Sequence, residues 1–391
     1  MARVVSSVAL PEVGQVIGAP LLTRAWIDQE RVRERAGEHL ATGLTRELWK
    51  YTPIKGFLEA LAETPADSTA TMAGDAQPGV RAVPFAALTA EDEVEIRRSI
   101  AGRLTPERHV LADLALLRAR QGWLIEVSGE VAEPLEITFP ARGIVPVFVH
   151  LASHASLTLV ERTCPEQPDA DARGLLAQIV HAELAPGARL VHERAALDAD
   201  RDHYAAVGIR LDRDARYRLR QSAVGGQRRR LEVHAILDGD GAEVEMDGAY
   251  LVENRRHLDQ QLVVEHRAGH TTSRQKFHGI AAGKGRSVFN GRIHIHPRAP
   301  QSDAALTNRN LALAPDAEMN TKPELEIYTD DVRCSHGATV GQIDDLALFY
   351  LTTRGIPVGE ARRLLARGFL RDCLSGRLAE ATLARFLEAL E

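Results

Sequence analysis

Aromatic residues make up only 5% of this 391-residue chain, and there are just three cysteines. A sugar-gripping groove is built from aromatic stacking platforms, so the first shortage argues against one. Cys164, Cys334 and Cys373 are widely spaced and odd in number, which excludes a disulfide framework. Lysine is also scarce, at five of the 48 basic residues, a bias of GC-rich bacterial genomes. No apolar run approaches the roughly 20 residues that a membrane helix needs. The opening "MARVVSSVAL" lacks a secretory core and a small-residue cleavage pattern, so a reducing cytoplasm is expected. Neither GxxxxGK[ST], GxSxG nor CxxC occurs, so no ready-made phosphate cradle, serine nucleophile or dithiol is present. A net charge of −6 argues against coating nucleic acid, and the triplet Arg228-Arg229-Arg230 reads as a solvated turn.

What is present is the composition of a soluble globular protein, 45% hydrophobic and 26% charged, too long for one typical core. Three zones emerge. Residues 1–105 carry helix-forming segments, "AWIDQERVRERAGEHL" and "AEDEVEIRRSIAGRL", joined by a connector rich in Pro, Ala and Gly. Residues 106–342 turn to period two: in "LEVHAILD" Leu231, Val233, Ala235 and Leu237 share a face, and in "AEVEMDG" Val244 and Met246 oppose Glu243, Glu245 and Asp247. Turn signals such as Pro186-Gly187 and Gly239-Asp240-Gly241 separate these strands. Residues 343–391 are helical again: Leu383, Phe386, Leu387 and Leu390 form a stripe, and Leu365, Phe369 and Cys373 another, making Cys373 a core residue.

A repeat runs through the middle zone. His154-Ala155, Gly187-Ala188, Asp214-Ala215 and Gly241-Ala242 each begin a polar-or-Gly, Ala, polar, apolar unit, at offsets of 33, 27 and 27. Such a period filled with strands and tight turns fits a solenoid, and an antiparallel sandwich remains open. A solenoid needs its end edges covered, which flanking helices would do.

Candidate chemistry is sparse. His294-Ile295-His296 places two imidazoles on one strand face, and with His266, His270 and His278 upstream it makes a zinc hydrolase one alternative. A β-helix carbohydrate-active enzyme is another. Cys164 reads as an incidental loop thiol with Arg162 nearby. Near the C-terminus stands "DDVRCSHGAT", where Cys334 and His336, ordinary ligands for iron or zinc, sit two residues apart. Two ligands alone cannot hold a metal, so the rest must come from elsewhere.

With its flanks, that stretch resembles a known signature. "MNTKPELEIYTDDVRCSHGATVGQID" followed by "LFYLTTRGIP" is similar to the C-terminal region of the SufB/SufD family of iron–sulfur cluster assembly proteins. So are "ELWKYTP", "HTTSRQKFHGI" and "SVFNGRIHIHPRAPQSDA". The resemblance spans most of the chain from about residue 40 and is most specific between 265 and 370. It implies a mainly β fold, a right-handed parallel β-helix between helical segments. SufB-type chains carry Cys-Glu-His-Glu where this chain has Cys334-Ser335-His336-Gly337, so the branch it resembles is SufD. Cys164 lacks the Glu-Gly-Cys context of a sulfur-accepting cysteine, and that role is not carried over to it.

The resemblance further implies a non-catalytic scaffold subunit that pairs with a SufB-like chain. A SufC-like ABC-type ATPase would dock on residues 343–391, and ATP hydrolysis would belong to it. His336, with Cys334 assisting, would hold iron or a transient iron–sulfur cluster at the interface with the SufB-like chain. Reduced flavin is a cofactor such complexes admit, and no residue here points to it. The isolated chain is expected to form a homodimer, and neither nucleic acid nor membrane is an expected partner.

Overall fold

The computed structural model describes residues 26–40, 43–100, 108–163, 174–197, 201–224 and 226–390, together with Val16 and Leu104. It is mainly β, 45% strand against 24% helix, and forms a parallel β-solenoid with helices at both termini. Helices α1 (Gln29–Leu40), α2 (Gly43–Leu48) and α3 (Ile54–Glu63) come first. Two short strands, β1 (Thr71–Ala73) and β2 (Val80–Pro84), then lead to α4 (Ala90–Ile100) and α5 (Val110–Arg118). In α5 every residue from Val110 to Leu117 is buried, so this "VLADLALL" segment has no polar stripe and escapes a period-based reading.

The solenoid follows. Its first strands are β3 (Trp123–Val127), β4 (Leu135–Phe139), β5 (Gly143–Leu151), β6 (Ser156–Thr163), β7 (Leu175–Leu184) and β8 (Arg189–Ala196). Next come β9 (Asp202–Leu211), β10 (Arg216–Val224), β11 (Arg228–Leu237), β12 (Glu243–Val252) and β13 (His257–His266). The last are β14 (Thr272–Ala281), β15 (Arg286–Ile295), β16 (Ser302–Ala312), β17 (Glu318–Ile327) and β18 (Val332–Gly341). Even-numbered strands from β4 to β18 stack into one sheet closed by β1, and odd-numbered strands from β3 to β17 into a second closed by β2. Both closing strands pair antiparallel, while the strands they close are parallel throughout.

The sequence repeat has a structural cause. Ser156 pairs with Arg189, Arg189 with Arg216 and Arg216 with Glu243, so the offsets of 33, 27 and 27 are rung-to-rung registers. The residue opening each unit turns a corner with left-handed backbone: His154, Gly187, Asp214 and Gly241 have φ of 62°, 71°, 57° and 72°. A Cβ on Gly187 would lie 2.5 Å from the His154 ring, so glycine is needed there for space as well as for φ. Each following alanine, Ala155, Ala188, Ala215 and Ala242, is fully buried. Backbone bonds stitch successive corners, His154 N to Pro186 O at 3.0 Å and Gly187 N to Arg213 O at 2.9 Å.

Apolar side chains of both sheets fill the interior. The outer face of the odd-numbered sheet is covered by α3 and α5, which bury Phe57, Leu61, Leu111 and Leu114 against Ile144, Phe148 and Ile179. After β18 come α6 (Asp345–Thr353), α7 (Val358–Arg371) and α8 (Ala379–Glu388). Ala366, Leu370, Leu383 and Phe386 of α7 and α8 pack with Cys373 on Val224, Leu251 and Ile280 of the even-numbered sheet. Among the described residues no helix is long and apolar enough to cross a membrane.

The arginine triplet is no solvated turn: Arg228, Arg229 and Arg230 open strand β11. Arg229 and Arg230 are fully buried. Arg229 donates to the Ala196 carbonyl at 2.7 Å, and Arg228 pairs with Asp202. Arg230 reaches Glu232 at 2.6 Å and Asp259 at 2.5 Å while lying 3.8 Å from the centre of the Trp49 ring. Carboxylates on the same and neighbouring rungs, invisible as neighbours in the sequence, hold Arg228 and Arg230, and a backbone carbonyl accepts from Arg229.

Candidate functional site

The two ends of the solenoid differ. At the first end β1 and β2 cross antiparallel over the parallel strands. At the other, among the described residues, β17 and β18 are the outermost strands of their sheets and nothing pairs with their far edges. Not one residue of either strand is fully buried, although β15, one rung below, buries Phe289, Ile293 and Ile295 completely. Ile327, Tyr328 and Val340 are exposed beside this edge, and α6 follows with no buried residue and with Leu346, Phe349 and Tyr350 in solvent. An unpaired parallel edge rimmed with exposed apolar side chains is a surface for another chain.

Cys334 and His336 stand on β18, in this open rung. Their register partners on β16 are Ala304 and Leu306, both buried in the solenoid interior. Cys334 and His336 therefore share the inward-facing column, as a separation of two residues dictates in a strand, but no further rung among the described residues covers them. Cys334 is half-buried and packs on the core, whereas His336 is exposed. Burial, then the nearby Asp303 carboxylate, push the Cys334 thiol up from its usual value. The backbone around Asp331 makes the corner, its carbonyl accepting from Gln301 N at 2.6 Å. Gly337 has open space where a Cβ would go, so a larger side chain is sterically admissible there.

The other sequence candidates disperse. His294 and His296 stack on each other, 4.1 Å between ring centres and 6° from parallel. Nε2 of His296 lies 3.1 Å from Glu265, whose other oxygen is 2.8 Å from Nε2 of His234. Burial opposes ionisation of Glu265, yet His234 and Arg267 hold its carboxyl well below the usual range. His266 lies inside the solenoid between the Thr271 and Ser273 hydroxyls at 2.8 and 2.9 Å, and burial brings its imidazole down to about 4. His278 donates from Nδ1 to the Phe369 carbonyl at 2.7 Å, and His270 occupies a left-handed corner at φ 57°. These five histidines do not converge on one point, so the zinc-hydrolase alternative finds no joint ligand set in them. Cys164 lies outside the described residues. Cys373 is buried between α7 and α8, its thiol pushed up to about 12 by burial. What sequence reasoning missed is the exposed apolar rim, because Ile327 and Val340 alternate just as core residues do.

A two-sheet parallel solenoid, covered at one end and open at the other beside a thiol and an imidazole, has the build of an assembly subunit. Residues 142–369 match the family model described as SUF system FeS cluster assembly, SufBD core domain. The chain belongs to this family of iron–sulfur cluster assembly proteins. Within the family it is SufD-like. It is similar to the iron–sulfur cluster assembly protein SufD of Escherichia coli strain K12, 30% identical over 365 residues that cover 85% of each chain. An iron–sulfur cluster assembly SufBD family protein of Mycobacterium tuberculosis is 28% identical over 360 residues, 88% of this chain and 87% of that one. SufD of Bacillus subtilis strain 168 is 35% identical over 114 residues, 29% of this chain and 26% of the other.

Proposed function

We propose that this chain is a cytoplasmic, non-catalytic scaffold subunit of an iron–sulfur cluster assembly complex. In this reading the open rung of β17 and β18 pairs with a SufB-like chain. A SufC-like ABC-type ATPase docks on the C-terminal helices and supplies all ATP hydrolysis. His336, with Cys334 beside it, is half of a site for iron or a nascent cluster, and the SufB-like chain provides the other half. The observation that carries the reading is the uncovered inward column of β18, which holds a thiol and an imidazole at an unpaired edge. Two such ligands leave a tetrahedral iron half-coordinated, and imidazole holds cluster iron less tightly than thiolate, which suits a scaffold that must release its cargo. Leu346, Phe349 and Tyr350, exposed on α6, supply apolar area for the ATPase.

The test is co-expression with a SufB-like chain and an ATPase, followed by iron and acid-labile sulfide analysis of the co-purified complex. His336→Ala removes an exposed side chain, so the complex is expected to assemble normally and to lose its cluster. Cys334→Ala is expected to lose less. A His336→Ala complex with undiminished iron and sulfide refutes the assignment.

A further inference from the structure

Away from the open rung, the outer face of the odd-numbered sheet carries a row of in-register polar residues. Arg81 on β2 pairs with Glu126 on β3, Glu126 with His150 on β5, His150 with Glu183 on β7, and Glu183 with Arg210 on β9. Neighbours in such a row stand about 4.8 Å apart. Helix α4 lies beside them and adds Glu95, whose Oε1 is 3.6 Å from Nδ1 of His150. The ligand atoms of Glu95, His150 and Glu183 all lie within 4.8 Å of one another, at the wall of a cleft of about 600 Å³.

We infer that Glu95, His150 and Glu183 form a binding site for a first-row divalent transition ion. One imidazole and two carboxylates are a borderline-hard donor set, suited to ferrous, manganous, cobaltous or zinc ions and unsuited to cuprous ion. Bonds of about 2.1 Å require donor atoms roughly 3–3.5 Å apart, which modest rotation of two partly exposed glutamates supplies. All three ligands sit on regular elements rather than loops. Strands β5 and β7 are locked by their register, and α4 is anchored at its start by Asp92, which accepts from Thr89 N at 2.8 Å and pairs with Arg81 at 2.9 Å. The cleft leaves the ion's remaining positions open on one side.

Two arginines compete for the carboxylates: Arg98 is 3.2 Å from Glu95 and Arg210 is 3.3 Å from Glu183. Both arginines are exposed, and exposed pairs of this kind are worth at most about 1 kcal/mol, which a doubly charged ion overcomes. Glu126, already paired with Arg81, borders the same cleft and is available to hold a metal-bound water. No residue of this site belongs to the open rung, so the inference does not depend on the proposed scaffold role.

Titration of the metal-free full-length chain with Co(II), followed by its visible absorption, tests the site, with anaerobic Fe(II) dialysis as a second probe. The wild-type chain is expected to take up one equivalent with the absorption of a site of mixed nitrogen and oxygen donors. Glu95→Gln and Glu183→Gln keep the shape of the side chains and are each expected to bind roughly tenfold more weakly or worse. His336→Ala is expected to bind as the wild type does, whatever its cluster content. Binding that is absent from the wild type, or equal in the wild type and both glutamine variants, overturns the inference. So does binding lost in His336→Ala, which would assign the ion to the open rung.

Discussion

Arg230 is the residue whose loss the fold should feel most. It is buried among Glu232, Asp259 and the Trp49 ring and also donates to the Leu48 carbonyl at 3.2 Å, so it ties the N-terminal helices to the sheet. Arg230→Met keeps much of the packing volume and removes the charge, leaving two buried carboxylates without their main counter-ion. Removing one partner from a buried ionic network costs about 3–5 kcal/mol. For 391 residues the entropy of unfolding is about 0.8 kcal/mol per kelvin, so the thermal midpoint should fall by roughly 4–6 °C. Arg218→Met is the control, because Arg218 pairs with Glu245 in solvent and its loss should cost less than about 1 kcal/mol. Both variants are compared by urea and thermal unfolding followed by far-UV circular dichroism. An Arg230→Met chain as stable as Arg218→Met would refute the view that this network, and not apolar contact alone, fastens the helical layer.

Acid should destabilise the chain in two stages. Burial keeps His192, His234 and His266 neutral in the fold, with His266 near 4, so the unfolded chain binds more protons and stability falls as pH drops from about 6.5 towards 4. Burial also opposes ionisation of Glu161 and Glu232, but Arg194 and His192 around the first, and Arg230 with His109 around the second, hold both near 2. Their contribution is complete above about 4.5 and is lost as pH falls through 2. Urea midpoints at pH 7, 5.5 and 4 should decline steadily, and a flat profile would contradict the burial of these groups. Native-state alkylation with mass mapping should modify Cys334 well before Cys373, and Cys373→Ala should cost roughly 1–2 kcal/mol without affecting cluster content. Equal labelling rates would contradict the burial of Cys373.

The solenoid was legible because four successive corners leave a local signature: a left-handed residue followed by a buried alanine. Cys334 and His336 were legible as a pair because two residues along a strand return to the same face. The placing of Arg228, Arg229 and Arg230 was not, since the carboxylates on neighbouring rungs that accept Arg228 and Arg230, Asp202 and Asp259, lie 26 and 29 residues away. Helix α5 stayed hidden because a segment buried on all sides loses the period that marks a helix. The trio Glu95, His150 and Glu183 is spread over 88 residues and meets only through strand register and the placing of α4.

The antiparallel strands β1 and β2 have a consequence for assembly. A rod with two bare ends can add copies head to tail without limit, as fibres do. Here the first end presents only two short strands, of three and five residues, that run antiparallel to the stack, a poor match for the long parallel edge of another copy's last rung. Two rods that meet at their last rungs use up the long parallel edges that each offers among the described residues. The short, reversed first strands therefore work against head-to-tail growth of the rod.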